Sequence, residues 1–205
     1  MSFSIYQLKP QFQQLLQPLM RALVHRRVTP NQITLTTMLL SLAYGAALAC
    51  WPQRAGLWAG LALFLLLRMA LNAIDGMLAN ATGQKTRLGT LLNEICDQVS
   101  DVALYLPFAL AAGPHAPLVV LAVCAALLAE FAGVLALSVG AARRFDGPMG
   151  KSDRAFWFGL LGLLIAYGAA PLLLDGILAL VIALSAWTVV NRLRQALRAC
   201  APATP

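Results

Sequence analysis

The chain has 205 residues, 60% of them hydrophobic and only 11% charged, with a mean hydropathy of +0.75. A soluble domain carries about a quarter charged residues, so this composition excludes one and indicates a single integral membrane domain over 1–205. The formal net charge of +7 does not indicate nucleic-acid binding, because the cations lie between apolar runs and not in stripes interleaved with aromatics.

The N-terminus shows no basic region followed by an apolar stretch and a cleavage site, so no signal peptide is expected. Residues 11–25 place Phe12, Leu15, Leu16, Leu19, Met20 and Leu23 at helical spacing, with Arg21, Arg26 and Arg27 nearby. Within the 1–30 region this reads as an amphipathic helix lying in the membrane interface, kinked at Pro18. Thr29 is suited to cap a new helix, with Pro30 at its first position.

Six spans are expected at about 32–51, 56–79, 89–112, 117–140, 155–170 and 172–191, with a cytoplasmic tail over 192–205. The last two are short and closely spaced, which leaves five spans as a lesser alternative. The fold class is thus an all-α integral membrane protein, six transmembrane helices preceded by an interfacial helix. Thirteen of the fifteen Lys and Arg fall in the N-terminal region, the 80–88 loop, the 141–154 loop and the C-terminal tail. The positive-inside rule therefore places both termini and both basic loops in the cytoplasm, as for a bacterial inner-membrane protein. Cys50, Cys96, Cys124 and Cys200 show no paired spacing and read as small core hydrophobes. His25 and His115 lie on opposite expected membrane faces, with no partner suggesting catalysis.

The stretch from Asn72 to Asp101 is the most informative. It sets Asp75, Asp97 and Asp101, with Asn72 and Asn93, in or beside apolar segments. A carboxylate at a bilayer centre costs about 2.5–3.5 kcal/mol on insertion scales, so three cost roughly 8–10 unless neutralised. A divalent cation held by oxygens is the most direct neutraliser. Asn72 and Asp75 fall at the end of the second predicted span, and Asn93 and Asp97 at the start of the third. Spacings of three and four residues put each pair on one helix face. The two faces lie at matching depth, joined by a short loop, and can turn toward each other. Asp101 continues the same face roughly 6 Å deeper.

Gly76 permits close approach of a helix or a ligand, and Gly89 marks a helix start whose free N–H groups favour a phosphate. Lys85, Arg87, Arg143, Arg144, Lys151 and Arg154 bring positive charge to the same side. Glu94 is expected to point away from the 93–97–101 face. Glu130 is an isolated acid in the fourth predicted span, with no role assigned. Polar side chains that merely join helices by hydrogen bonds are the competing explanation, and a better one for either asparagine alone than for the two aspartates together.

These residues resemble the CDP-alcohol phosphatidyltransferase family. Its signature, D-x-x-D-G-x-x-A-R, eight residues, then G-x-x-x-D-x-x-x-D, is met here by Asn72, Asp75, Gly76, Ala79, Asn80, Gly89, Asn93 and Asp97. Every spacing is kept and five of eight defined positions agree; asparagine replaces the first aspartate, the arginine and the third aspartate. The run Pro30-Asn31-Gln32-Ile33-Thr34, the amphipathic N-terminal helix, the six spans and the basic loop before the fifth are also similar to the family.

The resemblance implies transfer of a substituted phosphate group from a CDP-alcohol, with CDP-diacylglycerol the expected donor, to an acceptor alcohol with release of CMP. It implies Mg²⁺ or Mn²⁺ as cofactor, membrane lipids as partners and a homodimer, with no nucleic acid. It makes Asp75 the principal metal ligand and Asp97 a ligand and general base. Asn72, Asn93 and Asp101 complete the candidate metal set, and Gly76, Ala79 and Gly89 line the CDP pocket. Lys151, with Arg143 and Arg144, is a candidate phosphate contact. The asparagines remove negative charge and predict weakened binding of at least one metal. A lapsed relative that binds a nucleotide-lipid or a partner protein is the alternative, and a small ion-binding transporter the third.

Overall fold

A computed structural model describes residues 9–200. Among these the chain is helical throughout, with seven α-helices: α1 (Lys9–His25), α2 (Pro30–Cys50), α3 (Ala55–Ala81), α4 (Arg87–Tyr105), α5 (Ala116–Leu135), α6 (Lys151–Ala166) and α7 (Pro171–Cys200). Short 3₁₀ turns extend α4 over Leu106–Leu110 and α5 over Ala136–Val139.

The start of α2 follows the expected capping chemistry. The Gln32 N–H donates to Thr29 Oγ1 at 3.3 Å, the Thr29 N–H donates back to Gln32 Oε1 at 2.9 Å, and Pro30 opens the helix. Helix α1 includes Pro18. One boundary differs from the sequence reading: α7 continues to Cys200, so 192–200 is helical. Apolar residues at helical spacing on α1 explain its seat: Leu16, Met20 and Leu23 pack with Leu71, Ile74 and Leu78 of α3 and with Ile33.

Four helical stretches are long and apolar enough to cross a membrane: Pro30–Cys50, Ala55–Ala81, Ala116–Val139 and Pro171–Cys200. Their outward faces carry bare leucines such as Leu39, Leu63, Leu121 and Leu128, as expected for a multi-pass protein whose solvent is lipid. The cysteines correct the sequence reading. Only Cys96 is buried, while Cys50, Cys124 and Cys200 are exposed. An apolar solvent gives a small hydrophobic side chain no reason to point inward.

Helix α2 is the shared support: it packs along both α3 and α4, while α3 also lies on α6 and α5 on α7. At the α2–α4 crossing, a Cβ on Gly45 would meet the Ala103 carbonyl oxygen at 2.1 Å, so only glycine lets the backbones approach this closely. Helices α3 and α4 are not interlocked along their lengths; polar side chains bridge the space between them. At the opposite end of α3 the bundle is dry and aromatic. There Trp58, Phe108, Phe158 and Tyr105 are fully buried, with Tyr105 and Phe158 stacked at 3.9 Å and Phe108 set edge-on to both Trp58 and Phe158.

Candidate active site

The C-terminal turns of α3 and the N-terminal half of α4 face each other across the polar cleft. The Asn72 side-chain amide donates to Asp97 Oδ1 at 3.2 Å, joining the two helices directly. Thr34 of α2 reaches in from the side and donates its hydroxyl to Asp75 Oδ2 at 3.0 Å. Asp75 is buried and Asp97 half-buried, and the two carboxylates lie close enough to feel each other's charge and that of Lys151. Asn93 lies half-buried one turn before Asp97 on α4.

The glycines divide. A Cβ at Gly76 would meet nothing within 4 Å, so this position is open to a ligand and does not serve helix packing. Ala79 is half-buried one turn beyond. Gly89 differs from the expectation: α4 begins two residues earlier, and the Gly89 N–H donates to the capping Thr86 Oγ1 at 2.9 Å, so it is not free for an anion. Instead Asn31 Oδ1 would lie 3.0 Å from a Cβ at this position, so glycine there admits the start of α2.

Asp97 is held by cations. Lys151 Nζ, on the first residue of α6, lies 2.5 Å from Asp97 Oδ2. Arg68 Nη2 donates to the Asp97 main-chain carbonyl at 2.9 Å and stands 3.6 Å from Oδ1. From here a ladder of ion pairs crosses the bundle. Arg68 Nη1 meets Asp101 Oδ1 at 2.5 Å. Arg154 joins Asp101 Oδ2 at 3.0 Å to Glu130 Oε1 at 2.8 Å. Glu130 Oε2 in turn meets Arg143 at 3.3 Å and Arg192 at 3.4 Å, and Arg143 closes on Glu94. The acids Asp75, Glu94, Asp97, Asp101 and Glu130 are thus matched in number by the cations Arg68, Arg143, Lys151, Arg154 and Arg192.

This ladder reorders the candidate set. Both oxygens of Asp101 are taken by buried guanidiniums, which leaves it structural. Glu130 is not isolated; it is the ladder's central acid. Glu94 points to Arg143. Arg154 is buried inside the bundle, Arg144 is paired with Asp146 at 2.7 Å, and Lys85 in the loop before α4 and Arg87 at its first residue lie exposed. Sequence reasoning missed Arg68, Arg192 and Thr34 as members of the site and its support, and placed Arg154 among the cations of the same side without its buried acids. A signal was present: charges at Arg68 and Glu130 inside apolar runs demand partners of opposite sign. On the far side of the bundle His115 does have a partner, Asp175, which accepts its main-chain N–H at 2.9 Å.

Among the described residues no group of three or more His, Cys, Asp or Glu is disposed to hold a metal ion. The cleft does supply two carboxylates, Asp75 and Asp97, and the side-chain amide of Asn72, with Asn93 one turn before Asp97 on α4. An all-oxygen set of this kind suits a hard divalent cation.

Residues 27–191 match the model of the CDP-alcohol phosphatidyltransferase family. The chain is 45% identical over 195 residues to inner membrane protein YnbA of Escherichia coli, covering 95% of this chain and 96% of that one. It is 30% identical over 186 residues to a phosphatidylinositol phosphate synthase of Corynebacterium glutamicum, covering 88% and 83%. Its fold matches the phosphatidylinositol phosphate synthase PgsA1 of Mycobacterium tuberculosis. The match to the form solved with manganese and citrate has a TM-score of 0.74 at 22% identity, covering 92% of each chain. The match to the form with CDP-DAG bound has a TM-score of 0.75 at 20% identity, covering 94% and 100%. The chain belongs to the CDP-alcohol phosphatidyltransferase family.

Proposed function

We propose that this protein transfers a phosphatidyl group from CDP-diacylglycerol to an acceptor alcohol, releasing CMP, in phospholipid biosynthesis. The observation that carries the reading is the facing of Asp75 and Asp97 across a polar cleft beside the open Gly76. Support for the donor comes from the fold shared with a protein that binds CDP-DAG.

In this reading Asp75 and Asp97 would hold one Mg²⁺ or Mn²⁺, with Asn72 and Asn93 available as neutral oxygen donors. Such an ion offsets charge on the pyrophosphate and on departing CMP. Gly76 and Ala79 line the nucleotide pocket. The acceptor hydroxyl attacks the phosphorus that carries diacylglycerol, a new P–O bond forms, and the P–O bond to CMP breaks. The acceptor proton passes to Asp97, and Lys151 is within reach of developing phosphate charge. Arg68 fixes Asp97 through its main-chain carbonyl, so the carboxylate is already oriented when substrate arrives.

The same proposal gives the protein its topology. Helices α2 to α7 all span the membrane, α4 and α6 being the shorter and more polar pair. Helix α1 lies in the interface, and the cleft and both termini face the cytoplasm by the distribution of cations. A lapsed relative that only binds the lipid nucleotide is favoured by one observation, the cations already seated on Asp97.

The test is CMP release from CDP-diacylglycerol by the purified, detergent-solubilised protein, supplied with pooled polar alcohols, with and without Mg²⁺. Metal-dependent release that falls by about 10²-fold or more in Asp97→Asn is expected. Binding of CDP-diacylglycerol without release, from this or other CDP-alcohols, would establish the lapsed relative instead.

A further inference from the structure

The ten charged groups of the cleft and ladder balance with no metal present, and they are not equally fixed. Arg68, Arg154 and Arg192 are each 1–2% exposed and hold two or more oxygens apiece. Breaking such a buried pair leaves an uncompensated charge in low dielectric, so these guanidiniums stay where they are. Lys151 differs in every respect. Its side chain is 30% exposed, it stands at the first turn of α6 after Gly150, and its ammonium makes one ion pair, to Asp97 Oδ2. Arg143 is part-exposed too, but its guanidinium is tied to two acids, Glu94 and Glu130, which leaves the Lys151 ammonium, on a flexible four-carbon stem, as the cation most readily moved. Asp75, by contrast, takes part in no ion pair among the described residues and accepts from the neutral Thr34 hydroxyl.

Resting on the reading of Asp75 and Asp97 as metal ligands, we propose that Lys151 is the resident cation of the cleft. Its ammonium holds Asp97 until a divalent ion displaces it, and so sets how tightly that ion binds. A divalent ion entering a cleft that is already neutral leaves it with excess positive charge. Displacing Lys151 from Asp97 frees Oδ2, the carboxylate oxygen it holds, and an arriving phosphate then offsets the ammonium. The ion consequently binds weakly by itself and well in company with an anion.

The test is Mn²⁺ binding to the purified full-length protein in detergent, followed by the loss of the free-ion electron paramagnetic resonance signal and requiring no turnover. Lys151→Gln is expected to bind Mn²⁺ about tenfold more tightly than the unsubstituted protein. Lys151→Met, which keeps the apolar stem without its charge, is expected to match it, with gel filtration confirming that both variants fold. Mn²⁺ affinity that is unchanged or weaker in both lysine variants, while Asp97→Asn still weakens it, would overturn the resident-cation role and leave the metal site standing. Affinity indifferent to Asp97→Asn would overturn the metal site and this proposal together.

Discussion

The two ends of α3 solve opposite problems with the same helix. Near its start, Trp58 and Leu61 enter a dry core with Phe108, Phe158 and Leu104, where packing is the only interaction available. Near its end, Arg68, Asn72 and Asp75 face charge, and α3 and α4 meet through side chains and not interlocked backbones. The first end can be well packed because nothing has to enter it. The second keeps open space, as at Gly76, and must fix its polar groups with one another.

Substitutions at the two ends should therefore fail differently. Arg154→Met strips a cation from both Asp101 and Glu130, and is expected to cost about 3–5 kcal/mol as a broken buried pair. Thermal unfolding in detergent should fall, and CMP release should fall with it, because Arg68 loses the geometry that orients Asp97. Phe158→Ala opens a cavity beneath Tyr105 and is expected to cost a comparable amount, about 3–5 kcal/mol. Its Mn²⁺ affinity should be unchanged, and a shift would show that the dry core and the cleft are coupled. Gly45→Ala forces α2 from α4 and is expected to cost about 1–3 kcal/mol; loss of CMP release beyond the loss of folded protein would place the crossing in control of the cleft. Asp175→Asn, at the far surface, should leave both unfolding temperature and CMP release unaltered.

Local chemistry was the legible part of the fold. Thr29, Pro30 and Gln32 lie within four residues of one another, so their capping arrangement follows from spacing alone. The pairing of Asn72 and Asp75 with Asn93 and Asp97 was legible because helix period fixes each face and a short loop fixes the depth. What was hidden lies between distant helices. Arg68 and Asp101 are 33 residues apart, Arg154 and Glu130 are 24 apart, and Arg154 and Asp101 are 53 apart. Period gives the face of a helix but not the neighbour across it. The exposure of Cys50, Cys124 and Cys200 was hidden for another reason: in lipid both the inside and the outside of a bundle are apolar, and hydropathy does not tell them apart. The role of α2 had no signature beyond small residues such as Gly45.

Because α2, not direct packing, sets the register of α3 against α4, the spacing between the two acidic residues is an adjustable tolerance governed from a third helix. One methyl group added at the Gly45 crossing would then alter the gauge without altering any ligand. Small residues along one supporting strut thus become a means of retuning the aperture while the chemical groups stay constant.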